Sequence, residues 1–402
     1  MKICNSNQCT GCGACFSACP CGAIRMEKDE KGYFAPVVDE ALCISCEKCV
    51  RVCHVNAVLA AEESKEAYAA VCNDGDMRRD SSSGGVVPAI AKSILEKKGA
   101  VVGAVFDGEL RLREELSYSW EDYIRRGFSK SKYVQSETGD CFLRIKKQLD
   151  GSDAPVLFVG TPCQNAALKQ FLGKNYANLF LIDFVCHGVP SQSVFESYVR
   201  YLEGKNGSKI RKISFREKKP SWSLSSVLYE FENGKKYYGN MMEDPYNVGF
   251  VSNLYLRESC YSCKYNCMER VSDLTVGDYW GKREVCFGKD DGEQGVSAVI
   301  VNSEKGRALL ELCREQLTLK EVSVRSVKDG NLSLEAHQAR HAQTDAFWQS
   351  FLEGKDWPYL SRQYCASLLK AYPLRTRIMM KYSYSKPFKI LRSMKNRVRG
   401  RK

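Results

Sequence analysis

The sequence lacks the features that would place the protein in a membrane or outside the cell. No apolar run approaches the roughly 18 residues that a membrane-spanning helix needs. A cysteine motif begins so soon after Met1 that no signal peptide is expected. The 20 cysteines make up about 5% of the 402 residues, below the roughly 8 to 10% of secreted disulfide scaffolds. We therefore expect a cytoplasmic protein.

Two further absences limit the function classes. No Gly-x-Gly-x-x-Gly follows a predicted strand, so a standard dinucleotide-binding fold is unsupported. Residues 357–402 contain no Asp or Glu but thirteen Lys and Arg, and because the net charge is +12 the preceding residues are almost neutral. Such a basic tail can bind an anionic membrane surface, which would make the protein membrane-peripheral, or an acidic partner, or it can be simply solvated. Nucleic acid is disfavoured as a partner, because no nucleic-acid-binding motif accompanies the charge.

What the sequence does contain is a repeated run of cysteines. The two runs, 34 residues apart, are Cys9-x2-Cys12-x2-Cys15-x3-Cys19 and Cys43-x2-Cys46-x2-Cys49-x3-Cys53. In bacterial two-cluster ferredoxins with this spacing, the fourth cysteine of each run binds the other cluster. A disulfide framework or a zinc site fits less well, because zinc takes four ligands from two pairs. The predicted ligands of two 4Fe-4S clusters are Cys9, Cys12, Cys15 and Cys53 for the first, and Cys43, Cys46, Cys49 and Cys19 for the second.

Beyond residue 66, predicted strands alternate with predicted helices. Strands over 68–72, 101–106, 155–160 and 179–185 are each followed by a helical pattern, which is typical of βαβ units in a mostly parallel sheet. Asn233 and Gly234 form a good hairpin turn, which adds antiparallel strand pairs. The predicted fold class is α/β with α+β elements, behind a bacterial-type ferredoxin fold. The predicted regions are 1–60 for the ferredoxin domain, 66–160 and 161–330 for the two parts of the α/β domain, and 331–402 for a helical, basic tail.

Two loops have the composition of an anion site. Serine and glycine fill residues 81–85 just before a predicted helix, where backbone N–H groups can bind a phosphate, although such turns also cap ordinary helices. The basic stretch 129–136 lies between aromatic residues. It is either a solvated loop or a second contact to a phosphate-bearing cofactor.

Four later cysteines form a candidate third site. Cys163 and Cys186 each follow a predicted parallel strand, and open α/β sheets bind ligands at the carboxyl ends of their strands. Cys260 and Cys263 form a CxxC pair, which fits half of a cluster site, a redox dithiol or a zinc ribbon. A zinc ribbon requires a second CxxC pair, and Cys267 alone does not supply one.

Six motifs together resemble the coenzyme F-420 hydrogenase/dehydrogenase beta-subunit family. They lie in the family's order at residues 81–85, 132–136, 160–164, 186–191, 253–263 and 272–281. The resemblance implies an iron-sulfur flavoprotein whose α/β domain binds FAD. It implies a third 4Fe-4S cluster on Cys163, Cys186, Cys260 and Cys263, with Cys267 as an alternative ligand. The flavin contacts that it implies are Ser81, Ser82, Ser83, Gly84, Gly85, Lys132, Tyr133, Gln135 and Ser136.

The expected function is that of a flavin-dependent iron-sulfur oxidoreductase. It would pass electrons between the clusters and a hydride-exchanging FAD. The redox partner would be a ferredoxin or a hydrogenase or dehydrogenase subunit, and the hydride donor or acceptor would be coenzyme F-420 or another organic molecule. One alternative is a non-catalytic electron-transfer subunit that feeds a partner oxidoreductase. Another is an enzyme that uses no deazaflavin and reduces an isoprenoid, tetrapyrrole or sugar-linked substrate.

The candidate catalytic residues are His187 and Asp278, with Asp183 a further carboxylate near the strand ends. A histidine suits proton transfer near neutral pH, although His187 can equally donate to sulfur and Asp278 can be structural. Seven cysteines have no partner spacing and are expected to be small buried apolar residues. They are Cys4, Cys21, Cys72, Cys141, Cys286, Cys313 and Cys365.

Overall fold

The computed structural model describes residues 1–58, 62–64, 66–219, 221–281, 285–288, 291–371 and 374. The strands are β1 (Ile24–Lys28), β2 (Phe34–Val38), β3 (Glu62–Glu63), β4 (Glu66–Cys72), β5 (Ala100–Phe106), β6 (Leu112–Ser117), β7 (Val156–Val159), β8 (Leu179–Phe184), β9 (Ile210–Glu217), β10 (Ser226–Phe231), β11 (Lys236–Asn240), β12 (Glu269–Arg270), β13 (Leu274–Asp278), β14 (Ser297–Val301) and β15 (Leu317–Val322).

The helices are α1 (Ala14–Ala18), α2 (Lys48–Arg51), α3 (Gly75–Asp80), α4 (Val86–Glu96), α5 (Trp120–Arg125), α6 (Cys141–Gly151), α7 (Pro162–Leu172), α8 (Gln192–Asn206), α9 (Pro245–Val251), α10 (Asp291–Gln294), α11 (Glu304–Leu312), α12 (Val324–Asp329), α13 (Thr344–Leu352) and α14 (Trp357–Tyr364). Short 3-10 turns occur at Ser6–Gln8, Trp222–Leu224, Glu258–Ser262, Arg314–Gln316, Leu332–Leu334 and Leu368–Ala371.

An eight-stranded sheet organises the larger part of the chain. Its strand order is β15-β4-β14-β13-β8-β7-β5-β6. The neighbours β13, β8, β7 and β5 pair in parallel, and the other pairings are antiparallel. The α/β class and the added antiparallel strands are therefore confirmed. The sheet is mixed rather than mostly parallel as expected, because three of its seven strand pairings are parallel and these lie at its centre. Strands from both sides of residue 160 join in this one sheet.

Apolar helix faces cover the two sides of this sheet. Helices α4 and α11 pack in one buried cluster with residues of the central strands. Helices α6 and α7 pack in another, which also contains Ala14 of α1. Because Ala14 is 1% exposed, the first helix of the ferredoxin module belongs to the core of the α/β domain.

A second, antiparallel sheet has the strand order β11-β10-β9. It packs with α8, α9, α13 and α14 around an aromatic core that includes Phe195, Tyr198, Phe215 and Tyr246. The hairpin predicted at Asn233 and Gly234 is the connection between β10 and β11.

The ferredoxin module consists of the β1-β2 hairpin with α1 and α2. Two helices are described within the predicted region 331–402, and the basic segment 375–402 lies outside the described residues. Of the helices in the described part of the chain, none combines the length and apolar character needed to cross a bilayer.

Candidate functional site

The two cysteine runs fold around two separate cavities. The inner cavity is lined by Cys4, Cys9, Cys12, Cys15 and Cys53. The outer cavity is lined by Cys19, Cys21, Cys43, Cys46 and Cys49. Each cavity thus gathers three cysteines of one run and the fourth cysteine of the other, which is the crossed arrangement expected of two-cluster ferredoxins.

The backbone of each run follows the same path. In the inner loop Gly11 and Gly13 have positive φ angles of 68° and 74°, and the matching outer residues Ser45 and Glu47 have 53° and 57°. A left-handed residue before each short helix turns the chain so that successive cysteines face the cavity. Among the described residues, no three His, Cys, Asp or Glu side chains are close enough to share a single metal ion. Four thiols in ferredoxin spacing around each cavity fit a 4Fe-4S cluster better than one ion.

Each cavity also contains a cysteine for which the sequence predicted no role. Hydrogen bonds with Cys53 and Cys9 raise the pKa of the Cys4 thiol. Cys21 lies with its Sγ 3.7 Å from the Sγ of Cys19. Cys4 and Cys21 are only partly buried, and Cys286 is exposed, so the expectation of burial is wrong for these three. It is confirmed for Cys72, Cys141, Cys313 and Cys365, which are buried. The spacing of Cys4 and Cys21 in the sequence carries no signal, because folding alone brings them to the cavities.

Four cysteines of the α/β domain come together in what we call the interdomain cysteine group: Cys163, Cys186, Cys260 and Cys263. Cys163 lies at the start of α7, and Cys186 follows β8, the parallel neighbour of the strand before α7. Burial is the largest cause that raises the pKa of Cys163 and Cys260 to about 12, and neighbouring thiols of the group are among the other causes. Burial also raises the pKa of Cys186, and the other three thiols are the next causes. Cys163 and Cys263 pack against one buried cluster, and a Cβ on Gly188, two residues after Cys186, would lie 3.3 Å from the Cys260 Cβ, so the four cysteines are near one another.

Cys267, the alternative ligand, has different neighbours. Its Sγ donates to the carbonyl oxygens of Lys264 at 3.3 Å and Glu269 at 3.4 Å. Burial raises its pKa, and Arg270 opposes the rise.

The inner cavity adjoins the interdomain cysteine group. Burial raises the pKa of Cys12 to about 12, and the next causes that raise it are Cys9 and, from the other group, Cys163. Tyr265 is close to both the inner cavity and the interdomain cysteine group. Burial is the largest cause that raises its pKa, and Cys163 and Cys12 are the next causes. The outer cavity is on the solvent side, where Leu42 and Ile44 are 52% and 65% exposed.

A buried histidine links the two parts of the chain at this place. The His54 ring hydrogen-bonds Thr10 Oγ1 through Nε2 at 2.9 Å and the Tyr265 hydroxyl through Nδ1 at 2.7 Å. His54 is 1% exposed, and burial lowers its pKa to about 3, so the ring is neutral. The residue in the equivalent position of the first run, Pro20, is exposed.

A cluster of half-buried lysines lies against the serine-glycine loop. Lys218 Nζ donates to the carbonyl oxygens of Arg78 and Gln294, both at 2.5 Å, and of Ser83 at 2.6 Å. Burial lowers the pKa of Lys218 and Lys132 to about 7, and also lowers that of Lys130. We call these three residues the lysine cluster. Lys218 follows β9, more than 130 residues from the loop, so the sequence did not identify it.

The loop itself meets the second predicted segment. Ser82 Oγ accepts a hydrogen bond from the Ser131 backbone N–H at 2.8 Å. Ser81 Oγ donates to the carbonyl oxygens of Arg78 and Ser83, both at 2.8 Å. Gly84 has no room for a side chain, because a Cβ there would lie 2.4 Å from the Ala70 carbonyl oxygen. Gly85, with a φ of 90°, is the N-cap residue of α4.

The rest of the second segment leads away from the lysine cluster. The Tyr133 ring stacks on Phe250 at 4.8 Å between centroids. Gln135 accepts from the Phe34 N–H at 3.1 Å and donates to the Thr10 carbonyl at 3.3 Å, both in the ferredoxin module. Ser136 donates to Glu114 at 2.6 Å. Residues 132–136 therefore connect the lysine cluster with the inner cavity.

The predicted proton-transfer residues have unlike surroundings. His187 packs edge-on against Phe250, its Nε2 is buried with no hydrogen-bond partner in the described ranges, and burial lowers its pKa. Asp278 accepts from Arg216 at 2.9 Å and Trp222 Nε1 at 3.2 Å, so its carboxylate is held in a structural ion pair. Asp183 is fully buried 3.6 Å from Arg270, and burial raises its pKa.

Comparison with known proteins matches two separate parts of the chain. Residues 153–326 match the family described as the C terminus of the beta subunit of coenzyme F420 hydrogenase/dehydrogenase, and residues 8–57 match the 4Fe-4S dicluster domain. A chain from a solved structure, the xenon-derivatised F420-reducing NiFe hydrogenase complex of Methanosarcina barkeri, aligns at 17% identity and a TM-score of 0.45, covering 67% of this chain and 85% of that chain. No curated protein matches the sequence.

The two family matches confirm the resemblance and the N-terminal cluster-binding module. Residues 8–57 are thus an iron-sulfur module, and residues 153–326 match a family of oxidoreductase subunits. Residues 153–326 thus belong to the coenzyme F420 hydrogenase/dehydrogenase beta-subunit family, and the chain joins them to a 4Fe-4S dicluster domain.

Proposed function

We propose that the protein transfers electrons between a redox partner at the outer cavity and an FAD at the lysine cluster, through the inner cavity and the interdomain cysteine group. The observation that carries this proposal is that Cys12 and Ala14 pack in one buried cluster with α7, whose second residue is Cys163. It makes the inner cavity and the interdomain cysteine group neighbours, while the exposed outer cavity is open to a partner. The proposed ligands are the eight ferredoxin cysteines and Cys163, Cys186, Cys260 and Cys263.

The lysine cluster supports a phosphate-bearing cofactor. Burial lowers the pKa of these lysines because the charged amine loses its hydration. A bound anion would compensate for the lost hydration. Ser82, the first N–H groups of α4 and Lys130 would hold the phosphates. Lys218, whose three N–H donors are used on carbonyl oxygens, would contribute its charge. When bound, FAD supplies hydride exchange with an organic molecule together with single-electron transfer.

The chain's own residues perform the remaining tasks. The thiols of each group hold their cluster in place, and burial around the inner cavity and the interdomain group excludes water from both. Residues 132–136 fix the position of the lysine cluster relative to the inner loop. They do so through the hydrogen bonds of Gln135 with Thr10 and Phe34. His187 stays the candidate for moving a proton. The hydride partner is coenzyme F420 or another small organic molecule.

The first experiment is the iron and flavin content of protein purified without oxygen. About twelve iron atoms and one FAD per chain are expected for three 4Fe-4S clusters and one flavin. About eight iron atoms without flavin would leave an electron carrier that serves a partner oxidoreductase.

The second experiment measures the pH dependence of FAD binding. In the free protein, Lys132 and Lys218 lose protons as pH rises through about 7, the value to which burial lowers their pKa. A bound diphosphate raises these pKa values, so binding above pH 7 takes up protons. FAD affinity is therefore full below about pH 7 and falls as pH rises above it.

Calorimetry in two buffers with different ionisation enthalpies measures that proton uptake. Lys218→Met should weaken FAD binding and flatten its pH dependence. Lys235→Met, on an exposed hairpin, is the matched control and should change neither. FAD affinity that stays constant from pH 6 to pH 9 would place the phosphates elsewhere.

A further inference from the structure

A buried arginine lies between the inner cavity and the interdomain cysteine group. Arg257 is 5% exposed. The groups around its guanidinium are a carbonyl oxygen, an aromatic ring and cysteine sulfurs, with no carboxylate among them in the described part of the chain. A buried cation without an anionic partner is strongly destabilising. Its position therefore points to negative charge on the sulfurs next to it.

The backbone of Arg257 belongs to the interdomain cysteine group. Its N–H donates to the Val189 carbonyl oxygen at 3.0 Å, in the loop that follows Cys186. Its own carbonyl oxygen accepts from the Cys260 N–H at 2.8 Å. These two bonds fix the arginine at the base of the CxxC pair.

The side chain of Arg257 reaches the inner cavity. Its Nε donates to the Cys9 carbonyl oxygen at 2.6 Å, and its guanidinium lies 5.4 Å from the centroid of the Tyr33 ring. A Cβ on Gly11 would lie 3.0 Å from Nη1. That Nη1 is buried and has no hydrogen-bond partner among the described residues. A donor is therefore left free beside the loop that lines the inner cavity.

The charge of Arg257 lies beside both groups of thiols. Its guanidinium contacts the loop that carries Cys9 and Gly11. Its backbone is hydrogen-bonded to Cys260 and to the loop that follows Cys186. One cation thus favours negative charge on either side of the domain boundary.

We propose that Arg257 is a shared positive charge that raises the reduction potentials of the inner cluster and the interdomain cluster. One electron added to either cluster makes it one unit more negative, and a nearby cation in a low-dielectric site stabilises that form. The statement about the interdomain cluster rests on the proposed function. The statement about the inner cluster needs only the dicluster domain.

A second arginine provides a matched control at the outer cavity. Arg51 Nη2 donates to the Cys46 carbonyl oxygen at 2.9 Å, as Arg257 donates to that of Cys9, but Arg51 is exposed. Water and salt screen an exposed charge, so its effect on a nearby potential is small.

The test is a redox titration of the full chain without oxygen, followed by electron paramagnetic resonance of the reduced clusters. Arg257→Met should lower the midpoint potentials of two clusters, each by at least a tenfold change in the reduction equilibrium, about 59 mV for one electron. Arg257→Lys, which keeps the charge, should restore most of each shift. Arg51→Met should leave all potentials nearly unchanged. If Arg257→Met does not retain iron, Arg257→Gln removes the charge while its amide can still donate to Cys9.

The possible failures are distinguishable. Wild-type protein with only two cluster signals would contradict the proposed interdomain cluster and with it the shared role of Arg257. Three signals, of which only one or none moves in the charge-free variant, would overturn the inference and leave the proposed function standing. An equal shift from Arg51→Met would also overturn it, because burial would then not matter.

Discussion

The inner and outer cavities are built from one repeated cysteine pattern and differ in almost everything that surrounds them. The outer loop is exposed, with Leu42 and Ile44 largely in solvent. The inner loop is pressed against the α/β domain by Gln135 and Arg257. A repeat therefore specifies the ligands of both cavities, while the contacts made after folding specify which cavity meets a partner and which meets the rest of the chain.

The two left-handed positions show the same contrast. Gly11 in the inner loop has no space for a side chain, because a Cβ would lie 2.5 Å from Gln135 Nε2 and from the Phe34 carbonyl oxygen. Its counterpart Ser45 adopts the same backbone conformation in solvent. Where the loop is free, a side chain is tolerated at some conformational cost; where it is packed, glycine is required.

Removing one ligand from each cavity should separate their roles most strongly. Cys46→Ser should lose about four iron atoms and abolish reduction by a protein donor, while electrons still pass between flavin and the inner cavity. Cys12→Ser should also lose about four iron atoms, in this case from the inner cavity. It should abolish electron transfer between the flavin and the outer cavity. Anaerobic stopped-flow spectroscopy measures both. Flavin reduction by the protein donor at an unchanged rate in Cys12→Ser would rule out a path through the inner cavity.

Exchanging the left-handed residues should have the next largest effect. Gly11→Ser introduces both strain and a clash, and should lower the free energy of unfolding by about 2 to 4 kcal/mol. Ser45→Gly relieves the left-handed conformation in solvent and should change it by less than about 1 kcal/mol. Thermal unfolding at equal iron content compares the two. Equal effects would contradict the packing described for the inner loop.

The residues that follow the fourth cysteines offer a smaller contrast. His54→Phe removes two hydrogen bonds and leaves the Tyr265 hydroxyl without its partner, which should cost about 1 to 3 kcal/mol. Pro20→Ala, at the exposed equivalent position, should stay within about 0.5 kcal/mol. The measurement is denaturant unfolding of anaerobic protein. A His54→Phe variant as stable as the wild type would show that these bonds do not hold the module in place.

Replacing Cys4 or Cys21, the cysteine of each cavity that is not a predicted ligand, should have the smallest effect. Cys4→Ala and Cys21→Ala should each keep the full iron content, because the repeated spacing of the two runs already supplies four ligands per cavity. Iron analysis after desalting tests this. A loss of about four iron atoms in either variant would make that cysteine a ligand and displace one of the predicted set.

Several elements of the α/β domain were predictable because they carry a strong local pattern. The strands before Cys163 and Cys186 are short apolar runs, and the structure has them at β7 and β8. Strand β15, which pairs with β4, was not among the predicted strands. That pairing joins residues about 250 positions apart, and no local sequence pattern predicts it.

The sequence by itself determined the two ferredoxin-type cysteine runs, the α/β class and the identity of the residues in each motif, because spacing and periodicity are local properties of a chain. Only the tertiary structure decided that the four later cysteines form one group beside Cys12, that Lys218 faces the serine-glycine loop, and that Arg257 lies buried between two sets of thiols. These are contacts between segments far apart in sequence. Their energies depend on burial and neighbouring charge, and both arise only when the chain is folded.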